Sequence, residues 1–459
     1  MKAKTFKQGV HPPHKKEATK DKSLKPAELP SEVVIPLQQH IGAPCEPLVE
    51  RGDKVKVGQK IGESEAFVSA PVHASISGEV TDVGLVEVTG VGLMTTTQEV
   101  MAITIAADGK DEFHESVEPK GDLESLSAAE LRDIVYEAGI VGLGGATFPA
   151  HVKYAVPEDK SVDTVILNGA ECEPYLTVDH RTMVEMPEKV VYGLKAIMKM
   201  TDAKEGQIGI ELNKPDAIEA MQEATSDQTN IKVVPLEVKY PQGAEKQLID
   251  ACLGREVPSG GLPLDIGVVV NNIGTAVAIT EAIQEGKPLI ERTVTVSGEG
   301  IKKPQNLVFR IGTNVKELIE QCGGLKKYVD RVVLGGPMMG NAQHDVDVPA
   351  TKGTSGILAL RSHEISKYEP KNCIRCARCV DVCPIFLLPT ALYKFAKADM
   401  VAESKMEQTE MINKLDEYNV FDCIECGSCS YICPAKIPLL HWIRLGKNAL
   451  VAEQRKNDE

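Results

Sequence analysis

The stretch VDTVILNGAECEP, residues 162–174, decides the fold class. Its first eight residues, 162–169, form a nearly continuous apolar run, as expected of a strand buried on both faces of a parallel sheet. DIGVVVNN (265–272) repeats the pattern further along. Helical signals surround these strands. SAAELRDIVYEAG (127–139) offers Ser127 as N-cap, Glu130 at the capping-box position and Gly139 as a stop. Val190, Leu194, Ile197 and Met198 fall on one helical face, which absorbs the AIMKM at 196–200. Residues 121–290 are expected to form an α/β domain. NGAECEP (168–174) then lies at the carboxyl end of a strand, where open α/β sheets bind ligands.

Units of other character flank this domain. Residues 1–30, rich in Lys and Pro, read as an extended arm. Residues 31–120 hold short strands between glycine turns, with VEVTGVG (86–92) and EVMAITIAA (99–107) among them. The order ERGDKVKVGQKIGE (50–63), then SAPVHASISGEV (69–80), resembles the barrel-sandwich of biotinyl and lipoyl carrier domains. Those carriers present a modified Lys at a hairpin tip. The matching turn here, Glu65 to Ala70, has none, so a structural or docking role is expected. Residues 291–325 read strand, turn, strand, helix, and RVVLGGPMMG (331–340) is a strand running into a glycine turn. Together 291–345 suggest a β-grasp-like unit of the SLBB type, 346–370 a linker and 447–459 a polar, frayed tail. The fold class is α/β multidomain.

Residues 371–446 carry the strongest chemical signal. Eight of the twelve cysteines stand there in two copies of one spacing, Cys373-x2-Cys376-x2-Cys379-x3-Cys383-Pro384 and Cys423-x2-Cys426-x2-Cys429-x3-Cys433-Pro434. Three thiolates two residues apart wrap a loop around three irons of a cubane. The fourth, set off before Pro, reaches the other cluster. One [4Fe-4S] cluster is expected on Cys373, Cys376, Cys379 and Cys433, the other on Cys423, Cys426, Cys429 and Cys383. Zinc needs four ligands and has no use for this run. Helical stretches around Leu392, Phe395 and Met400 and around Met411, Leu415 and Tyr418 separate the motifs. Cys45, Cys252 and Cys322 have no ligand spacing and read as buried thiols, and Cys172 as packing.

Composition excludes several functions. At about 150 residues per domain, 459 residues suggest roughly three domains. Lys plus Arg number 51 against 66 Asp plus Glu, a net charge of -15, and aromatics are 4%, which disfavours nucleic-acid binding. The longest apolar runs, such as 264–270, fall short of the roughly 18 residues that span a bilayer, and the first residues lack a secretory core. An intracellular protein without a direct membrane span is expected.

GLGGATFPAHVK (142–153) adds a second site. Its glycines let backbone approach a ligand and can form an anion nest, and Lys153 can add charge for a phosphate. With NGAECEP, GAEKQL (243–248) and VVNNIGT (269–275), in that order, the central region resembles the FMN- and NADH-binding subunit of respiratory complex I. Adding the barrel-sandwich unit, GGPMMG (335–340) and the double cysteine motif, the chain resembles the C subunit of Rnf complexes. That family is an ion-translocating ferredoxin:NAD oxidoreductase of bacterial membranes. GVHPPHKK (9–16) is typical of it.

The resemblance implies FMN contacts at Gly142, Gly144, Gly145, Lys153, Asn168 and Glu171, with Asn271, Asn272 and Thr275 on the flavin's other side. It implies Glu173 and Glu245 as partners of NADH. Hydride would pass between NADH and FMN, and single electrons through two [4Fe-4S] clusters, with no acid–base catalytic residue. Implied partners are the membrane and iron–sulfur subunits of the complex, and ferredoxin indirectly. The implied place is the cytoplasmic face of the cell membrane, peripheral through those subunits. The chain departs from the complex I pattern at Leu143, Ala170 and 243–246, and only Tyr154 and Tyr175 offer aromatic rings nearby. Two alternatives stand beside this reading: a soluble flavin and iron–sulfur reductase similar to microcompartment cobalamin reductase, and an electron-carrying adaptor without nucleotide binding.

Overall fold

The computed structural model describes residues 3–89, 97–365, 368–400, 402 and 405–458. Residues 90–92, the end of VEVTGVG, lie outside them. At the centre is a four-stranded parallel sheet in the order Ile231–Leu236, Glu205–Glu211, Thr164–Gly169, Val268–Asn272. Alternate residues serve opposite faces. Val165 and Leu167 pack with helices Ala128–Glu137, Pro187–Thr201, Pro215–Ala224 and Ile273–Gln284. Ile166 packs with Val268, Val270 and helix Glu245–Leu253 on the other side. Two-sided burial is why both strands read as unbroken apolar runs. The Ser127 capping box forms, with each partner bonding the other's backbone N–H. At Gly193 a Cβ would stand 2.0 Å from the Ala276 carbonyl oxygen, so two helices cross there backbone to backbone.

Ahead of this domain two small antiparallel sheets face each other. One runs Glu32–Pro36, Thr97–Ala107, Gly78–Thr89, Lys54–Val55, the other Glu46–Pro47, Lys60–Glu63, Val72–His73. Val33, Ile35, Ile61, Val80, Ile103 and Ile105 fill the space between. The lysine-free hairpin tip docks on the α/β domain, with the Phe67 carbonyl 3.1 Å from His151 Nε2.

Behind the domain lies a six-stranded mixed sheet in the order Leu24–Pro26, Gln305–Arg310, Glu291–Ser297, Gly356–Arg361, Val329–Leu334, Asn341–Gln343. It corrects the linker expected at 346–370: Gly356–Arg361 lies between two strands of the sheet. Its ILAL run, 357–360, is buried, and an apolar strand with partners on both sides has no freedom to link. The unit also takes its first strand from the N-terminal arm.

The cysteine-bearing unit is helical. Pro389–Met400, Lys405–Glu417 and Leu439–Asp458 pack around Leu392, Ala396, Leu415, Ile443 and Leu450. The frayed tail expected at 447–459 is likewise corrected. The last helix runs to Asp458, anchored by buried Leu450 and by Lys447, whose Nζ donates to the Cys423 carbonyl at 2.6 Å.

Buried ammonium groups stitch these units together. Lys352 Nζ donates to the Pro71 and Gly139 carbonyls at 2.8 and 2.7 Å, tying the two-sheet unit to the α/β domain. Lys16, in the arm, donates to the carbonyls of Glu171 (2.9 Å), Glu173 (3.0 Å) and Leu176. Burial lowers the Lys16 pKa, and Glu171 opposes that shift. Lys16→Met should leave three buried carbonyls bare and cost about 3 kcal/mol. A lower melting temperature of the reconstituted chain, with earlier proteolysis of the arm, checks this.

Candidate flavin pocket and cysteine cages

The carboxyl ends of strands Thr164–Gly169 and Val268–Asn272 lie side by side, with Asn272 opposite Asn168. The sequence motifs converge on this edge. The glycine loop reaches it through the Leu143 N–H, which donates to Thr275 Oγ1 at 3.0 Å. Gly144 passes so close to Asn272 that a Cβ would stand 2.9 Å from it. Asn168 joins the 243–245 loop by donating to the Gly243 carbonyl at 2.7 Å. Lys153 Nζ donates to the Val270 carbonyl at 3.1 Å and stands 3.5 Å from Glu245. Tyr154, fully buried, donates to Asn271 Oδ1 at 2.9 Å.

This arrangement fits an FMN. Asn271 Nδ2 is buried without a hydrogen-bond partner, beside the N-terminus of helix Ile273–Gln284. Helix N-termini favour phosphate. A Cβ on Gly145 would meet nothing within 4 Å, so that side of the loop faces open space.

Two expected contacts are turned elsewhere. The Glu171 side chain is buried and accepts from the Asp179 N–H at 2.8 Å and the His180 N–H at 3.4 Å, at the start of helix Val178–Glu185. Glu173, expected to partner the nucleotide, meets backbone in this structure. Its carboxylate accepts from the Met338 and Met339 N–H groups at 3.1 and 2.9 Å, holding the GGPMMG turn. Burial pushes its pKa up to about 7, against those two hydrogen bonds. Residues missed in the sequence surround this loop. Lys214, fully buried, donates to the Ala170 carbonyl, and Arg292 to the Leu143 carbonyl. Asp179 accepts from Asn272 Nδ2 at 2.7 Å, and burial, with Glu171 beside it, raises its pKa. None belongs to a periodic or spaced motif, so no local signal could have found them.

The two cysteine loops are conformational copies, fifty residues apart. Arg375 and Glu425 both have φ of 56°, and Ala377 and Gly427 have 59° and 75°. Left-handed residues at matched positions bend each loop into the same wrap. The thiols intermingle across motifs. Cys379 lies within electrostatic range of Cys433 and Cys373, and Cys429 of Cys423, Cys426 and Cys383. Cys383, Cys423, Cys426 and Cys429 line a recess that Leu387, Leu392, Ile424, Leu440 and Ile443 complete. Burial pushes the Cys423 thiol up to about 11. A set of four thiols in an apolar recess fits a [4Fe-4S] cluster. Cys45, Cys252 and Cys322 are buried, as expected, and Cys172 accepts from the Gly243 N–H at 3.4 Å.

A glycine loop at a sheet edge that fits an FMN, with two sets of cysteines behind it that fit iron–sulfur clusters, defines a flavin and iron–sulfur electron-transfer protein. Four family descriptions match in order. They are the RnfC barrel sandwich hybrid domain over 4–110, the Nuo51 FMN-binding domain over 135–281, the SLBB domain over 293–342 and the 4Fe-4S dicluster domain over 365–434. The C subunit of the proton-translocating ferredoxin:NAD(+) oxidoreductase complex of Clostridium ljungdahlii is 50% identical over 404 residues, covering 88% of this chain and 87% of that one. The C subunit of the Na(+)-translocating complex of Acetobacterium woodii is 49% identical over 454 residues, 99% of each chain. Its counterpart in the ion-translocating oxidoreductase complex of Rhodobacter capsulatus is 44% identical, covering 84% of this chain and 73% of that one. The chain belongs to the RnfC family, the C subunits of ion-translocating ferredoxin:NAD oxidoreductase complexes.

The glycine loop can be tested directly. Gly145→Val should keep the melting temperature of the FMN-free chain, since nothing stands within 4 Å, yet lower FMN affinity at least tenfold. Gly144→Val should lose FMN as well, by displacing Asn272. Fluorescence titration with FMN reads both, and full occupancy in either would remove the flavin from this loop.

Proposed function

We propose that this chain exchanges electrons between NADH and the other subunits of its complex, through an FMN held at the sheet edge and two [4Fe-4S] clusters. One observation carries the reading: the cage of Cys383, Cys423, Cys426 and Cys429 is packed against the flavin domain. Gln247 donates to the Pro384 carbonyl at 3.2 Å, Tyr240 to the Cys426 carbonyl at 2.8 Å, and Lys246 pairs with Asp422 at 3.8 Å. Bound FMN supplies chemistry that takes or gives a hydride on one side and single electrons on the other.

The residues divide the work by position. Gly142, Gly144, Gly145, Asn271, Asn272 and Thr275 seat the phosphate and ribityl chain, and Lys153 supplies positive charge. Asn168 fixes the 243–245 loop, so that Glu245, at the rim, meets the incoming nucleotide. Glu171 acts one step back, by capping the helix that carries Asp179 to Asn272. The cage nearer the flavin receives electrons first, and the one built by Cys373, Cys376, Cys379 and Cys433 passes them on. Cys376 is exposed, which gives that second cage an outlet.

No helix among the described residues is long and apolar enough to cross a membrane. Attachment at the cytoplasmic face then falls to partner subunits, since anionic head groups repel a surface of net charge -15.

Two variants test the assignment. Cys383→Ala should alter the paramagnetic resonance signal of the cluster on Cys423, Cys426 and Cys429, though residue 383 belongs to the other motif. Loss confined to the cluster on Cys373, Cys376 and Cys379 would contradict the crossed ligation. Glu245→Gln should raise the KM for NADH severalfold in an assay with an artificial one-electron acceptor, with FMN content unchanged.

A further inference from the structure

The flavin-motif loop and one cysteine loop meet at a single side chain. Tyr240 is 1% exposed, and its hydroxyl lies 2.8 Å from the Cys426 carbonyl oxygen and 3.4 Å from Glu173 Oε1. A phenol has one hydrogen, and the nearer carbonyl takes it. The ring is fixed from behind. Val10 pairs with Tyr240 through two backbone hydrogen bonds of 2.8 and 2.9 Å, and the Gly9 N–H donates at 3.2 Å to the carbonyl of Val382, next to Cys383. Glu173 is held by the GGPMMG turn, and a Cβ on Gly427 would stand 2.8 Å from the Met338 carbonyl oxygen of that turn. Cys172, Tyr240, Met338 and Cys426 share one apolar cluster. Among the described residues no side chain makes the matching bond at Cys376, the equivalent position of the other loop.

Building on the ligand assignment above, we infer that Tyr240 is a positioning residue for the cluster on Cys383, Cys423, Cys426 and Cys429. Its hydroxyl fixes the Cys426 peptide, and its ring, packed in one cluster with Cys172, ties the flavin-motif loop to that cysteine loop. The O–H points its positive end at the carbonyl of a ligand residue in a dry setting, drawing electron density from that peptide, which favours the more negative, reduced cluster. Hydrogen bonds and dipoles around the ligands are what set such potentials.

The test is a redox titration of the full chain, loaded with FMN and both clusters and followed by paramagnetic resonance. Cys383→Ala identifies the relevant signal. Tyr240→Phe keeps the ring and should keep FMN and iron content. The midpoint of the identified cluster should fall, the other should stay, and cluster reduction by NADH should slow severalfold. Replacing Tyr240 with 3,5-difluorotyrosine, a stronger donor, should shift the same midpoint upward. Tyr175→Phe removes a hydroxyl of the flavin-motif loop that bonds to Glu364, away from the Cys426 carbonyl, so both midpoints should hold there. Unchanged midpoints in Tyr240→Phe, or equal shifts in both, would overturn the inference. Should Tyr240→Phe fail to assemble, the difluorotyrosine chain decides, and no shift there overturns it equally. Fewer than two clusters in the wild type would instead overturn the ligand assignment.

Discussion

The carbonyls of residues 170–176 leave the central sheet at its carboxyl edge with no strand to pair them, and the rest of the molecule is arranged around satisfying them. Two buried ammonium groups do so. Lys214 takes Ala170, and Lys16 takes Glu171, Glu173 and Leu176. The Tyr175 N–H donates to the His14 carbonyl at 2.9 Å, so the arm binds the loop through its backbone as well. A buried ammonium is costly unless each of its hydrogens finds an acceptor. For Lys16 the acceptors are the orphaned carbonyls themselves, and for Lys214 they are one such carbonyl with the side chains of Glu211 and Asn213. The N-terminal arm is thus part of the flavin domain's structure, although it is the far end of the chain.

Once fixed, this loop serves two neighbours. Its start, with Asn168, belongs to the flavin edge. Its Glu173 reaches the turn at 335–340, and beyond it the loop of Cys423 to Cys429. Long-range electron transfer depends on keeping donor and acceptor close in a rigid, dry medium. Backbone pairing and buried hydrogen bonds across three units provide that rigidity, where a flexible linker would not.

Much of this was legible in the sequence because it is local. Apolar runs gave the two strands, Ser127 and Glu130 gave a helix start, and the cysteine spacing gave two wrapped loops. Spacing works there because one loop of fixed length must meet a cluster of fixed size. The expected linker and tail failed for a common reason. Gly356–Arg361 becomes a strand through partners supplied by Glu291–Ser297 and Val329–Leu334, and the last helix persists because Leu450 finds a core.

The sequence by itself determined the parts: a two-sided parallel sheet, a glycine loop, two cysteine runs and a hairpin without its lysine. Periodicity and spacing record short-range geometry, and short-range geometry suffices for these. Only the tertiary structure decided how the acidic residues of NGAECEP are used. In isolation Glu171 and Glu173 look alike, two carboxylates on one turn. Folding turns Glu171 to the N–H groups that start the next helix, only a few residues on, and Glu173 to the GGPMMG turn, whose N–H groups come from a distant segment. The same holds for Lys16 and for Tyr240, whose hydrogen-bonded carbonyls lie more than a hundred residues away along the chain, in segments that meet only when the units close.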